Sequence, residues 1–237
     1  MRDELESCPF CGGREDRTPP ETLRIGDPWR VRVVPNLYPA LERQEVVVHT
    51  PQHRSSVGEL ADDQLELVAE AWQRRASDVS GHVHAFVNEG REAGSSLPHT
   101  HSQLAWFGEQ PPVPAGERGL SLEGELLAER NGLVLLCPRV SRVPYELLIA
   151  PAEPEAAAFR SDRLGAALVL LGDAVRRIHA VAGVVPLNAW LHDTDHWHLE
   201  VVPRTTVLAG MELGAGVYLN AVPPEEAARV LRASPRA

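Results

Sequence analysis

The 237-residue sequence contains no lysine, so all 23 of its basic residues are arginine. That absence excludes a Walker-type phosphate loop, a Schiff-base lysine and a lysine nucleophile for nucleotidyl transfer. Any covalent nucleotidyl intermediate would need another side chain, and ten histidines are present. Cysteine is also scarce. Cys8, Cys11 and Cys137 are too few, and odd in number, for a disulfide framework. No apolar run approaches membrane-spanning length, and MRDELESCPF has neither the basic start nor the apolar centre of a secretory signal. The expected location is therefore the cytoplasm, with no membrane partner. A formal net charge of −10 argues against a broad nucleic-acid surface, though not against a local anion site built from backbone amides.

The stretch Asn88–Trp106, NEGREAGSSLPHTHSQLAW, is where the chemistry concentrates. Leu97–Trp106 reads as a strand entered from a loop rich in glycine and serine (Gly90, Gly94, Ser95, Ser96). Alternation along a strand would send His99, His101 and Gln103 to one face. Two imidazoles and an amide beside a small-residue loop suit a phosphate-handling site. One imidazole can attack phosphorus while the amide holds a phosphate oxygen. A packed or metal-bound histidine pair is the competing reading of H-x-H alone.

Cys8-Pro9-Phe10-Cys11-Gly12-Gly13 has the form of a zinc knuckle, which supplies two of four ligands. A redox dithiol competes with it. Cys137, in the apolar run Leu133–Cys137, reads as a small buried hydrophobe.

Along the chain, Thr18–Pro28 reads as a proline-marked connector. Strands are expected at Val31–Val34 and Glu45–His49, each stopped by proline. A helix over about Ala61–Ala76 follows, with Leu65, Val68, Ala69 and Trp72 at helical spacing, then a strand at His82–Asn88. Gln110–Gly119, rich in Pro and Gly, marks a boundary between halves. The second half repeats the order: strands Leu133–Cys137 and Tyr145–Ala150, a helix over about Asp162–Val181, then strands Pro186–His192 and His196–Pro203. In this register His198 matches His101 and Glu200 matches Gln103. The expected fold is α+β, a tandem duplicated unit of antiparallel sheet with a packed helix, divided as 1–112 and 113–237.

The run N-x-G-x-x-x-G-x-S-x-P-H-x-H-x-Q, from Asn88 to Gln103, resembles the active-site signature of galactose-1-phosphate uridylyltransferases. These belong to the histidine-triad superfamily. Cys8-x-x-Cys11, Val33–Leu41 and Pro51-Gln52-His53 come in family order, and His192, HWHLEVVPR and Gly210-Met211-Glu212 continue it loosely. The resemblance starts at the C-x-x-C, so the chain reads as a short form without the family's usual N-terminal segment.

What the resemblance implies is specific. His101 would be the nucleophile in ping-pong transfer of a nucleoside monophosphate between a nucleotide sugar and a sugar 1-phosphate. Gln103 would hold a phosphate oxygen, with Gly94 and Ser96 lining the phosphate path. Asn36 falls where the family touches the nucleoside, and Asn88 at the phosphate-side loop. Cys8, Cys11, His53 and His99 would hold a structural zinc ion, with His49 the rival for the third place. Glu212 would lie on the hexose side, reaching the site from the partner subunit of a homodimer. There the usual lysine is missing and Met211 stands where tyrosine is usual.

Relatives with the same histidine chemistry cleave ADP-sugars or dinucleoside polyphosphates, so a phosphorylase or hydrolase is the alternative. A zinc-stabilised, non-catalytic nucleotide-binding module is the reading from a different class. His192, His198 and Glu200 fall near a second metal position of some members, with packing the equal alternative.

Overall fold

A computed structural model describes residues 7–78, 80–109 and 120–234. Among these residues, ten strands form a single sheet in which every neighbouring pair is antiparallel. The strands are β1 (Leu23–Ile25), β2 (Val31–Pro35), β3 (Gln44–Val48), β4 (His82–Glu89), β5 (His101–Phe107), β6 (Gly124–Arg130), β7 (Leu133–Pro138), β8 (Leu147–Pro151), β9 (Leu187–His192) and β10 (His198–Pro203). Their order is β1-β2-β3-β5-β4-β9-β10-β8-β7-β6. The first five follow the pattern 1-2-3-5-4, and the last five repeat it as 6-7-8-10-9. The two sets meet at β4 and β9, where Phe86 pairs with Trp190 and Asn88 with Asn188. This is the duplicated α+β arrangement the sequence predicts. The expected boundary at Gln110–Gly119 lies outside the described residues.

The long helices follow from their apolar spacing. In α1 (Asp62–Ser77), Leu65, Val68, Ala69 and Trp72 are buried on one stripe. In α2 (Leu164–Ala182) the buried face spans Leu164 to Ile178. Both pack on the sheet face that carries Leu104 and Trp106 of β5 and Leu199 and Val201 of β10. Gly172 allows their close approach, since a Cβ there would stand 2.6 Å from Leu65 Cδ1. Burying a side chain the size of Leu65 contributes about 1.5–3 kcal/mol. Arg75 of α1 also clamps Glu45 of β3 from within the core, Nε and Nη2 each donating to a carboxylate oxygen at 2.8 Å.

Covering one face leaves the other for polar side chains. Because strand residues alternate, His101 and Gln103 stand on the face away from the helices, where Phe10 of the knuckle packs with Val46 and Val48, while Ser102 and Leu104 face the helices. Small helices α3 (Gly210–Ala215) and α4 (Pro224–Ala233) complete the chain. Among the described residues, no helix is long and apolar enough to cross a membrane.

Three sequence readings need correction. The Thr18–Pro28 connector contains β1, which pairs with β2 although it is only three residues long. Strand β5 begins at His101 instead of Leu97. Pro98 has no amide to donate, and the Thr100 amide goes to Arg54 O at 2.6 Å, outside the sheet. The strand of HWHLEVVP likewise begins at His198, with the His196 ring bonded to Pro151 O at 2.8 Å.

Candidate active site

His99 and His101 stand at the entry of β5, and the backbone fixes their ring nitrogens in opposite senses. A carbonyl oxygen can only accept, so each histidine nitrogen facing one must carry its proton. His99 Nε2 donates to Thr50 O at 2.8 Å, which leaves its Nδ1 lone pair toward the knuckle. His101 Nδ1 donates to His99 O at 2.7 Å, which leaves its Nε2 lone pair bare. No partner holds that nitrogen among the described residues, and it is not among the sealed, unpartnered polar atoms. Burial lowers the pKa of His101 and the His99 carbonyl only partly offsets this, so the ring is neutral near pH 7. A neutral imidazole with one free lone pair, held in place through its other nitrogen, is a nucleophile.

His99 Nδ1 lies 3.4 Å from Cys8 Sγ and 3.7 Å from Cys11 Sγ, and His53 Nδ1 lies 3.4 Å from Cys11 Sγ. All four ligand atoms fall within 4.8 Å of one another. A tetrahedral ion with metal–sulfur bonds of ~2.3 Å and metal–nitrogen bonds of ~2.0 Å needs sulfur–nitrogen edges of about 3.5 Å. The cluster therefore fits a metal ion without rearrangement. His49, the rival ligand, is committed elsewhere: its ring contacts Thr100 Oγ1 at 3.0 Å and Ser102 Oγ at 2.9 Å, on the helix side. Burial, then the charges of His101 and His99, hold its pKa well below the ordinary range.

Phe10, between the two cysteines, packs edge-on against both His99 (6.0 Å between centroids) and His101 (5.4 Å). The knuckle thus buttresses the His101 ring directly. The sequence reading missed this residue, although its place inside the C-x-x-C was the available signal.

Of the other predicted residues, Gln103 and Asn36 are brought together, Asn36 Nδ2 donating to Gln103 Oε1 at 3.4 Å. Asn88, on β4, takes a hydrogen bond from Asn188 Nδ2 at 2.8 Å. Gly94 lies against it: a Cβ there would be 3.6 Å from Asn88 Nδ2, and its φ of +91° favours glycine. The amides of Ala93, Gly94 and Ser95 close the loop on the carbonyls of Gly90 and Arg91, so they do not project as anion donors. Ser96, in the same loop, is exposed. Glu212 is not joined to this group. Its partly exposed side chain accepts from Ala209 N at 2.9 Å, at the start of its own short helix.

The second half repeats the posture without the opening. His198 Nδ1 donates to His196 O at 3.1 Å, as His101 does to His99. His192 lies flat over His198, with centroids 4.4 Å apart and rings inclined by 17°. Lone pairs of stacked, near-parallel rings do not converge, whereas two imidazoles sharing one ion must aim at a common point. His192 Nε2 already accepts from Trp190 Nε1 at 2.7 Å, and Glu200 is ion-paired with Arg142. His192, His198 and Glu200 bring ligand atoms within 4.8 Å of one another, as a metal site requires, but the stacked rings are not aimed at one point.

Comparison with known proteins shows what the chain as a whole is similar to. Residues 39–112 match the sequence model of a family described as galactose-1-phosphate uridyl transferase, N-terminal domain. ADP-glucose phosphorylase of Arabidopsis thaliana is 27% identical over 95% of this chain and 81% of its own length. Galactose-1-phosphate uridylyltransferase of Thermotoga maritima is 26% identical over 95% of this chain and 88% of its own. The crystal structure of the Arabidopsis ADP-glucose phosphorylase with bound ADP-glucose matches with a TM-score of 0.88 at 25% identity, covering 98% of this chain and 90% of that one. The chain is a homologue of galactose-1-phosphate uridylyltransferase and ADP-glucose phosphorylase, and shares their fold.

Proposed function

We propose that this chain is a nucleotidyltransferase that moves a nucleoside monophosphate from a nucleotide sugar through a covalent nucleotidyl-His101 intermediate. The observation that carries the reading is the bare Nε2 of His101, opposite an Nδ1 proton anchored on the His99 carbonyl. Nε2 attacks the α-phosphorus of the donor. The bond from that phosphorus to the bridging oxygen breaks, and sugar 1-phosphate leaves with the oxygen. The imidazole keeps its Nδ1 proton, and its new positive charge is shared with His99 O. An acceptor phosphate oxygen then attacks the same phosphorus, the N–P bond breaks, and the ring returns to its neutral form. No net proton is consumed. Gln103 holds a phosphate oxygen during both steps, Asn36 lies on the nucleoside side, and Asn88, Gly94 and Ser96 line the phosphate side.

Cys8, Cys11, His53 and His99 would hold zinc, which such a two-thiolate, two-imidazole set binds in closed, structural sites. Bound there, it would fix the knuckle and Phe10 against His101.

The leading acceptor is a sugar 1-phosphate, as in galactose-1-phosphate uridylyltransferases. A second reading, phosphorolysis of an ADP-sugar, is favoured by likeness to the Arabidopsis ADP-glucose phosphorylase along nearly the whole chain. A cytoplasmic homodimer completes the proposal, each copy comprising duplicated halves 1–112 and 113–237. It is supported by the segment around α3, which has no buried residue and exposes Val207, Met211, Leu213 and Leu219. Glu212 would reach the partner's site on this segment. Turnover assays pairing UDP-glucose or ADP-glucose with galactose 1-phosphate or phosphate separate the readings. Production of UDP-galactose supports the first, production of ADP from ADP-glucose and phosphate supports the second, and no turnover with any pair refutes both.

A further inference from the structure

The Gln103 amide has two chemically different ends, and only one suits a phosphate. Which end faces the site follows from the hydrogen bonds of Asn36 and Gln44. The backbone amides of Tyr38 and Ala40 can only donate. Tyr38 N donates to Asn36 Oδ1 at 3.0 Å, and Ala40 N donates to Gln44 Oε1 at 2.8 Å. Those contacts fix both oxygens, so the NH2 ends of Asn36 and Gln44 turn toward Gln103. Gln44 Nε2 donates to Gln103 Oε1 at 2.5 Å, and Asn36 Nδ2 reaches the same oxygen at 3.4 Å. With its oxygen taken twice, Gln103 is left with its NH2 as the end available beside His101.

Gln44 is well placed for this. It pairs with Ala105 across β3 and β5, two residues along from the Val46–Gln103 pair, so it is a diagonal neighbour of Gln103 on the same face. Its own carbonyl receives the Asn36 amide at 2.8 Å, tying the loop to the strand.

We infer that Gln44 is a positioning residue that sets the polarity of the Gln103 amide, so that the site offers a phosphate two N–H donors and no oxygen. The inference rests on the reading that Gln103 holds a phosphate oxygen in nucleotidyl transfer. The shorter Gln44 contact makes it, more than Asn36, the fixing partner.

The test is a cycle built on Q44E, Q44L, Q103A and Q44E/Q103A. Q44E keeps the size of the side chain and its bond from Ala40 N, but it cannot donate to Gln103, whose amide would turn its oxygen toward the phosphate. Two quantities are read: the rate of single-turnover adduct formation with UDP-glucose or ADP-glucose, and the affinity for UMP and AMP. Q44E is expected to slow adduct formation by about 100-fold, the scale of losing one oxyanion donor, and to weaken monophosphate binding. Q44L, which adds no charge, is expected to show a smaller loss in the same direction. In the Q103A background, Q44E is expected to cause less than about a threefold further change, because no amide remains to be turned. A direct charge effect would persist in that background.

Wild-type rate and affinity in Q44E, or a full additional loss in Q44E/Q103A, would overturn the inference while leaving the nucleotidyl-histidine intact. Absence of adduct in the wild type would refute the transfer mechanism instead. The monophosphate affinities would still decide the amide's polarity.

Discussion

His99 and His101 are held in opposite tautomers by two backbone carbonyls. His99 gives its Nε2 proton to Thr50 O, and His101 gives its Nδ1 proton to His99 O. On the proposed function, the same two-residue step would produce a metal ligand and a nucleophile. Changing either residue should have separable consequences, since only His99 belongs to the cluster.

H101A is expected to retain the bound metal of the wild type and lose transfer, whereas H99A loses both. Elemental analysis of the purified variants, beside a nucleotidyl-transfer assay, checks this. Loss of metal from H101A would place His101 in the coordination sphere and undo the division of labour.

Metal content also distinguishes the two histidine clusters. With His192 stacked on His198 and Glu200 paired with Arg142, the second half should take up none. One zinc per chain is the expected stoichiometry, removed by a strong chelator together with ordering of the 8–13 knuckle. Two tightly held ions per chain, the second lost in H198A, would contradict the geometric misfit.

The Glu45–Arg75 pair fastens α1 to the strand that bears Gln44. Both side chains are under a tenth exposed, and removing Glu45 leaves the buried Arg75, among the described residues, with only its bond to Asp78. E45A is expected to lower unfolding free energy by about 1.5–3 kcal/mol, the scale of losing hydrogen bonds to a charged group, read from urea denaturation. A loss below about 1 kcal/mol would mean that the pair contributes no more than a surface ion pair does.

Glu89 should make stability depend on pH. Burial raises its pKa from 4.5 to about 7, against the pull of the Val57 amide it accepts from. Its folded pKa thus exceeds its unfolded one, and the folded state binds the extra proton between them. Its contribution is full below about pH 4.5 and is lost as pH rises through about 7, an effect of up to roughly 3 kcal/mol. E89Q, which stays neutral, is expected to flatten the decline in stability over that window. An unchanged pH profile in E89Q would show that Glu89 is not its source.

Much of this was legible in the sequence, because hydrophobic spacing and proline stops are local signals. Helix α1 departs by one residue at each end from the stretch that Leu65, Val68, Ala69 and Trp72 predict. The pairing of Asn88 with Asn188, where the two halves join, was not legible, since residues a hundred positions apart meet only through sheet order. The short strand Leu23–Ile25 was hidden because its stability comes from pairing with β2 and not from its own composition. Within the site, residue types marked Cys8 and Cys11 as a ligand pair, and the family resemblance added His53 and His99. The roles of Gln44 and Phe10 depended on which hydrogen-bond end or ring edge faces a neighbour, which no spacing encodes.

The central claim is a covalent bond between His101 Nε2 and a nucleotide's α-phosphorus. Its most direct test is the intact mass of wild type and H101A after separate incubation with UDP-glucose, UDP-galactose, ADP-glucose and a diadenosine polyphosphate. The expected result is one nucleoside monophosphate added per wild-type chain, stable to alkali, released by acid and absent from H101A. The added mass would name the base. No adduct with any donor, despite measurable nucleotide binding, would contradict nucleophilic catalysis by His101 and leave a nucleotide-binding module in its place.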